Sequence, residues 1–410
     1  MATKKKKSSK KPKGIHRIAV HHAKRSVQAV HGRVKPHAVR AKGWWARRPL
    51  YQKIIAWLLV LLVTIISCMY GIARWYIAKH ADEPMQVGVT FVAPYARSFD
   101  LDPQETMQAM IDELGMRRFR LVSYWDEIEK NKGTYDFSDL DWQFKKAEES
   151  DSTVSLALGL RQPRWPECHM PSWALNQPKE AWYPELKAFI AATIERYKDS
   201  PALESYQLEN EYFLEVFGEC QDFDRERLVD EYNLVKQLDP NHPLIISRSN
   251  NALGFPVGQP RPDEFAISVY KRVWDKTLTK RYFEYPFPAW FYGFLAGGGE
   301  ILTGKDMIIH ELQAEAWLPD DFSISTAPAE EQYKSMNPAR LKDRIEYGRA
   351  TGMRTIDLWG AEWWYWRKVK HNDPDLWNTA TEEIKRLTTS ERQCSSYYAN
   401  PESGYSKAPC

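Results

Sequence analysis

Two short stretches carry carboxylates where chemistry would need them. One is "LENE" at residues 208–211, a short apolar run that ends in Glu209, Asn210 and Glu211. The other is "MIIHELQAEAW" at residues 307–317, with Glu311 closing an apolar run, Glu315 four residues later and Trp317 beyond. A carboxylate at the end of a buried strand is costly without a partner or a task. Two of them projecting into one aromatic-lined cup are what glycosidic bond cleavage requires. One carboxyl protonates the leaving oxygen; the other attacks the sugar carbon or activates water.

The elements around these stretches predict how they meet. Eight short apolar runs (residues 85–92, 118–125, 153–160, 203–210, 243–249, 264–270, 307–311 and 355–361) are nearly all separated by helical patterns. Alternation of this kind predicts a parallel sheet. Eight units over about 300 residues fit an α/β fold of the (β/α)8, or TIM, barrel type, whose site lies at the C-terminal ends of the strands. An open doubly wound sheet would call for a glycine-rich phosphate turn after the first strand, and "VGVTFVAPYARSF" has none.

Taken in order, the strand-end residues are Arg120, Arg161, Asn210 with Glu211, Tyr270, Glu311 and Trp359. Trp125, Trp165, Trp173, Trp317, Trp363, Trp364 and Trp366 fall at or just past strand ends. Their rings could stack on sugar faces or pack loops. Glu209 shares the strand face of Glu211 and reads as a deeper ion-pair partner. Height separates Glu311 from Glu315: four extended residues rise ~13 Å. Glu311 therefore lies at the level Glu211 reaches, and Glu315 becomes a rim residue contacting substrate or bracing a loop.

Over residues 85–390 the chain resembles the clan of retaining glycoside hydrolases on (β/α)8 barrels with catalytic glutamates on strands four and seven, and within it the cellulase-like branch. The resemblance rests on "NE" at Asn210–Glu211, on Glu311, on Arg120 to Trp125 followed by the "GTYDF" turn at Gly133 to Phe137, and on Tyr270 and Trp359. It implies that Glu211 is the acid/base, Glu311 the nucleophile and Asn210 a ligand of the sugar 2-hydroxyl. It also implies substrate contacts for Arg120, Tyr270, Trp359, Trp125, Arg161, Trp317 and Glu315. The chain departs from the pattern at Ser268–Val269–Tyr270, where many relatives carry H-x-Y, and at Arg161–Gln162–Pro163, where a His or Asn is common. The departures bear on which sugar is held.

Arg120 and Tyr270 beside Glu311 would favour its ionised form, while burial and that negative neighbour would raise Glu211. Retention calls for carboxyls ~5–5.5 Å apart. No metal and no cofactor are expected. The same residues would serve a catalytically inactive carbohydrate-binding barrel or an envelope-glycan transglycosylase, and the sequence leaves those readings open.

The charge is split along the chain. Residues 1–53 hold 17 of the 57 Lys and Arg and no acid, leaving 40 bases against all 54 acids. Between the two parts, residues 54–73 form an uncharged apolar run flanked by aromatic residues, long enough to cross a bilayer. The expected organisation is a basic, disordered cytoplasmic tail (1–53), a transmembrane helix (54–73), an extracytoplasmic hydrolase domain (85–390) and a flexible tail (391–410). The expected partners are an oligo- or polysaccharide and membrane lipid. No aromatic-interleaved platform supports nucleic acid binding. Outside the membrane disulfides persist. Cys168 and Cys220 fall in two loops that a barrel places side by side, which predicts a pair, and Cys394 with Cys410 would close the tail.

Overall fold

The computed structural model describes residues 44–250 and 258–389. Most of the basic head, and the Cys394 and Cys410 pair, lie outside the described residues. The apolar run is one helix, Leu50–Lys79, and it starts four residues before the expected span and continues past it. Among the described residues it is the one helix long and apolar enough to cross a membrane.

The chain from Met69 onward contains a closed (β/α)8 barrel. Its strands are β1 (Gln86–Phe91), β2 (Arg118–Val122), β3 (Thr153–Leu158), β4 (Leu203–Leu208), β5 (Leu244–Arg248) and β6 (Glu264–Val269). A hairpin of β7 (Arg272–Asp275) and β8 (Arg281–Glu284) follows, and then β9 (Met307–Gln313) and β10 (Thr355–Trp359) complete the barrel. All eight barrel strands pair in parallel, and β10 closes onto β1. The hairpin is a separate antiparallel sheet. It was not expected from the sequence, although "RVWDKTLTKRYFE" alternates about a polar turn.

Alternation explains the layering. On β2, Phe119 and Leu121 join the core against the helices, while Arg118 and Arg120 point the other way. Arg120 bonds to β4 and to β9, neither of which neighbours β2, so its side chain crosses the barrel interior. Buried arginines are tolerated there because Asp357 meets Arg118 at 3.0 Å and Glu311 meets Arg120 at 2.7 Å.

On β9 the pairing slips by one residue. Ile267 pairs with Ile309 while the next residue on β6, Ser268, pairs with Glu311, and the same extra residue shows against β10. Such a bulge changes which way the following side chains point. His310 lies inside the barrel, close to Asp357, and strict alternation would send Glu311 outward. The bulge instead turns Glu311 inward.

Candidate active site

Glu311 ends up with two donors. Arg120 Nη1 donates to its Oε1 at 2.7 Å and the Tyr270 hydroxyl donates to its Oε2 at 3.0 Å. A guanidinium and a phenol thus take one oxygen each of the same side chain. Arg120 is itself fixed by Gln207 Oε1 at 2.6 Å and Asn210 Oδ1 at 2.8 Å.

Among the described residues, no cation stands at hydrogen-bond distance from the Glu211 carboxyl. Burial, and next the charge of Glu311, push its carboxyl up to about 7, against smaller opposing effects of Ser268, Arg161 and Ser249. Its backbone is left-handed, at φ 44°. Ser247 Oγ accepts from its backbone N–H at 2.9 Å and holds it there. Glu209 (φ 51°), Arg164 (φ 83°) and Glu167 (φ 72°) are also left-handed. Three strained non-glycine residues lining one cup, with a fourth near them in the chain, are typical of a functional site. One carboxyl is thus held by a guanidinium and a phenol while burial raises the other, which is the asymmetry acid-assisted bond cleavage needs.

Asn210 also lines the cup and is held on both ends of its amide. Its Oδ1 accepts from Arg120, from Gln207 Nε2 at 3.0 Å and from Ser247 Oγ at 3.3 Å. Its Nδ2 donates to Glu167 Oε2 at 3.1 Å. Glu167 is a third buried carboxyl of the cup, pushed up to about 8 by burial, with Arg161 opposing and the charges of Glu211 and Glu311 adding. Sequence reasoning missed it. It lies on the long connection between β3 and helix Lys179–Tyr197, and connections of that length are often functional.

The cup has a volume of about 610 Å³. Asn210, Glu211, Tyr270, Glu311, Glu315, Trp317 and Trp359 all line it, so the structure brings most of the expected set together. Glu315 pairs with Arg164 through two contacts of 3.2 Å, and Arg164 in turn lies over the Trp359 ring at 4.4 Å. Gly360, at φ 116°, admits this: a Cβ there would stand 2.5 Å from Glu315 Cβ. Arg164, like Glu167, was not foreseen.

Three expected contacts do not line the cup. Arg120 is fully buried and bears on it only through Glu311 and Asn210. Trp125 is fully buried; its indole N–H donates to Glu129 Oε2 at 2.6 Å, and its ring packs on Trp173 and Phe189. It begins the short helix Trp125–Ile128 and faces the core, so it is a packing residue. Arg161 is buried behind the cup, 3.7 Å from Glu167 and 3.5 Å from Cys220 Sγ. Its influence on the cup is electrostatic. Trp363, Trp364 and Trp366 are likewise buried in the core. Cys168 and Cys220 are joined, with Cα atoms 5.3 Å apart, and tie the Glu167 loop to the loop after Glu211.

The position of Glu211 sets a pH prediction. A general acid works protonated, so turnover should fall as pH rises through about 7. A kcat profile with slow leaving groups, flat to pH 9, would show that Glu211 is not the acid.

No family model matches the chain, and no curated protein matches it in sequence. Solved structures of similar fold include glycoside hydrolases. A GH5_18 protein from Bifidobacterium longum subsp. longum, in complex with Manb1-4GlcNAc, is 11% identical, with a TM-score of 0.52 over 75% of this chain and 79% of that one. A β-galactosidase from the Antarctic haloarchaeon Halorubrum lacusprofundi is 12% identical, with a TM-score of 0.49 over 75% of this chain. The match spans 58% of the length of that β-galactosidase. At such identities the likeness is one of fold.

Proposed function

We propose that this protein is a membrane-anchored, extracytoplasmic glycoside hydrolase that cleaves a β-linked glycan by a retaining double displacement. The observation that carries the reading is the asymmetric pair in one cup: Glu311 under Arg120 and Tyr270, and Glu211 pushed up to about 7. The fold shared with the GH5_18 protein is consistent with it.

Glu311 attacks the anomeric carbon while Glu211 gives its proton to the departing oxygen. The glycosyl ester so formed is opened by water, from which Glu211, now a carboxylate, takes a proton. Charge on Glu311 is neutralised as the ester forms, so the charge that raises Glu211 in the first step is gone in the second. Glu211 therefore holds its proton until the departing oxygen takes it and, once the negative neighbour is gone, is readily ionised and free to act as the base of the second step. Asn210, which lines the cup, offers the second N–H of its amide to a sugar hydroxyl, and Trp359 and Trp317 offer ring faces.

The apolar helix Leu50–Lys79, preceded by basic residues, supports an anchor with the barrel on the far side of the membrane from the head. The Cys168–Cys220 bond supports an oxidising compartment.

The test is an aryl glycoside panel of both anomers, with the first-formed product anomer read by proton NMR. Cleavage of β-glycosides that first releases the β-anomer is expected. The α-anomer appearing first would replace retention by inversion, and no turnover on any substrate would favour a binding barrel.

A further inference from the structure

The cup's walls rise into a rim of exposed apolar side chains. After residue 80, nine large apolar side chains stand exposed among the described residues. Four of them, Trp165, Leu278, Phe283 and Phe322, line the cup or the hollow that shares Arg164 and Trp317 with it. A fifth, Val216, lies between the cup-lining Leu214 and Phe217. Exposed apolar residues scattered singly need no explanation, but a cluster at one mouth marks a binding surface.

The type of residue narrows the partner. Trp165, Phe217 and Trp317 form a chain of ring contacts suited to sugar faces. Leu278 at 88% exposure and Val216 at 91% have no ring to offer a sugar. The display of Leu278 is built in. Asp275 accepts from the backbone N–H groups of Thr277, Leu278 and Thr279 at 3.0, 3.2 and 2.7 Å, and from Thr279 Oγ1 at 2.7 Å. This fixes the turn joining β7 to β8 with Leu278 at its tip, and these bonds hold the Asp275 carboxyl well below its ordinary range. Lys276, Lys280 and Arg281 flank the tip, all exposed. A saturated tip among cations suits an alkyl chain leaving an anionic headgroup layer.

We propose that the substrate is amphiphilic: a glycan borne on a lipid, with the sugar in the cup and the start of the alkyl chain laid against Leu278, Phe283 and Val216. This rests on the glycosidase reading and adds to it the class of the leaving group, a lipid alcohol. The bond cleaved joins the sugar to that alcohol, whose oxygen takes the proton from Glu211, and water supplies the hydroxyl of the freed sugar.

The full chain, reconstituted in lipid nanodiscs, is offered n-alkyl β-glycosides from methyl to octyl, carrying whichever sugar it turns over. The expected result is a rise in kcat/KM of about 2- to 4-fold per methylene over the first several carbons. In the Leu278→Ser/Val216→Ser double variant the octyl-to-methyl ratio should fall at least tenfold. A ratio unchanged by the variant, which would reduce the effect to partition into the disc, overturns the proposal, and so does a flat series. Should no glycoside turn over, the proposed reaction fails separately. Tryptophan fluorescence titration with methyl and octyl β-glucosides, β-galactosides and β-mannosides then still decides the rim: tighter octyl binding lost in the variant supports it, and equal binding sinks it.

Discussion

Glu311→Gln is expected to abolish turnover of good and poor leaving groups alike, by a factor on the order of 10³ or more in kcat, because no glycosyl ester can form without a nucleophile. The substitution keeps the volume and leaves Arg120 its other partners, Gln207 and Asn210, so the fold should persist. Glu211→Gln should differ in kind. A dinitrophenolate departs without a proton, so the first step survives and shows as a burst. The phenyl glycoside, which needs the acid, should lose about 10²–10⁴. The second step lacks its base, and azide, a nucleophile that needs none, should restore turnover of the dinitrophenyl glycoside as a glycosyl azide, while the phenyl glycoside, limited in its first step, should gain little. Equal losses on both leaving groups, with no burst and no azide effect, would remove Glu211 from the acid/base role.

Glu315→Gln completes the comparison. Glu315 lines the same cup, but Arg164 holds it through two contacts and binds it to the Trp359 ring. Its loss should raise KM far more than it lowers kcat. A Glu315 variant as inactive as Glu311→Gln would reverse the assignment.

The sequence made the barrel legible because its signals are local and repeated. Eight apolar runs with helical patterns between them admit few arrangements, and all eight appear as strands in a closed barrel. The choice of Glu311 over Glu315 was legible for an incomplete reason. Strand height separates the two, yet it is the one-residue bulge on β9 that turns Glu311 inward, and a bulge leaves no mark in apolar periodicity. Trp125 misled because a strand-end position does not say which way the next helical turn faces. Glu167 and Arg164 were hidden for the opposite reason. They reach the cup from a connection held in left-handed conformations, where neither period-two nor helical spacing applies. The hairpin of β7 and β8 was passed over because four-residue strands are too short for alternation to stand out.

The largest stability effect is expected at Arg227, which touches no part of the cup. It is fully buried and donates from Nη1 to Glu209 at 3.0 Å, from Nη2 to Glu209 at 3.3 Å and from Nη1 to Glu231 at 2.7 Å. Glu209 also accepts from the backbone N–H groups of Leu160 at 2.6 Å and Arg161 at 3.0 Å, which joins the ends of β3 and β4. Gly159 makes room, since a Cβ there would lie 2.4 Å from Glu209 Oε1. Arg227→Met would leave two buried carboxyls with no cation and should cost about 3–5 kcal/mol, a fall in Tm on the order of 10 °C. The sign of the pH dependence follows from what remains. Burial already raises the Glu231 carboxyl, and without the Arg227 charge that opposes the rise it takes up a proton more readily, so the deficit should shrink as pH falls and widen above neutrality. Adding Glu209→Gln and Glu231→Gln should recover much of the loss. A single variant within 1 kcal/mol of the parent at every pH would show that the ion cluster contributes little. Because Glu209 immediately precedes Asn210 and Glu211, the variant should also lose kcat at temperatures well below its Tm. Packing beneath the cup and chemistry within it meet at that one left-handed turn.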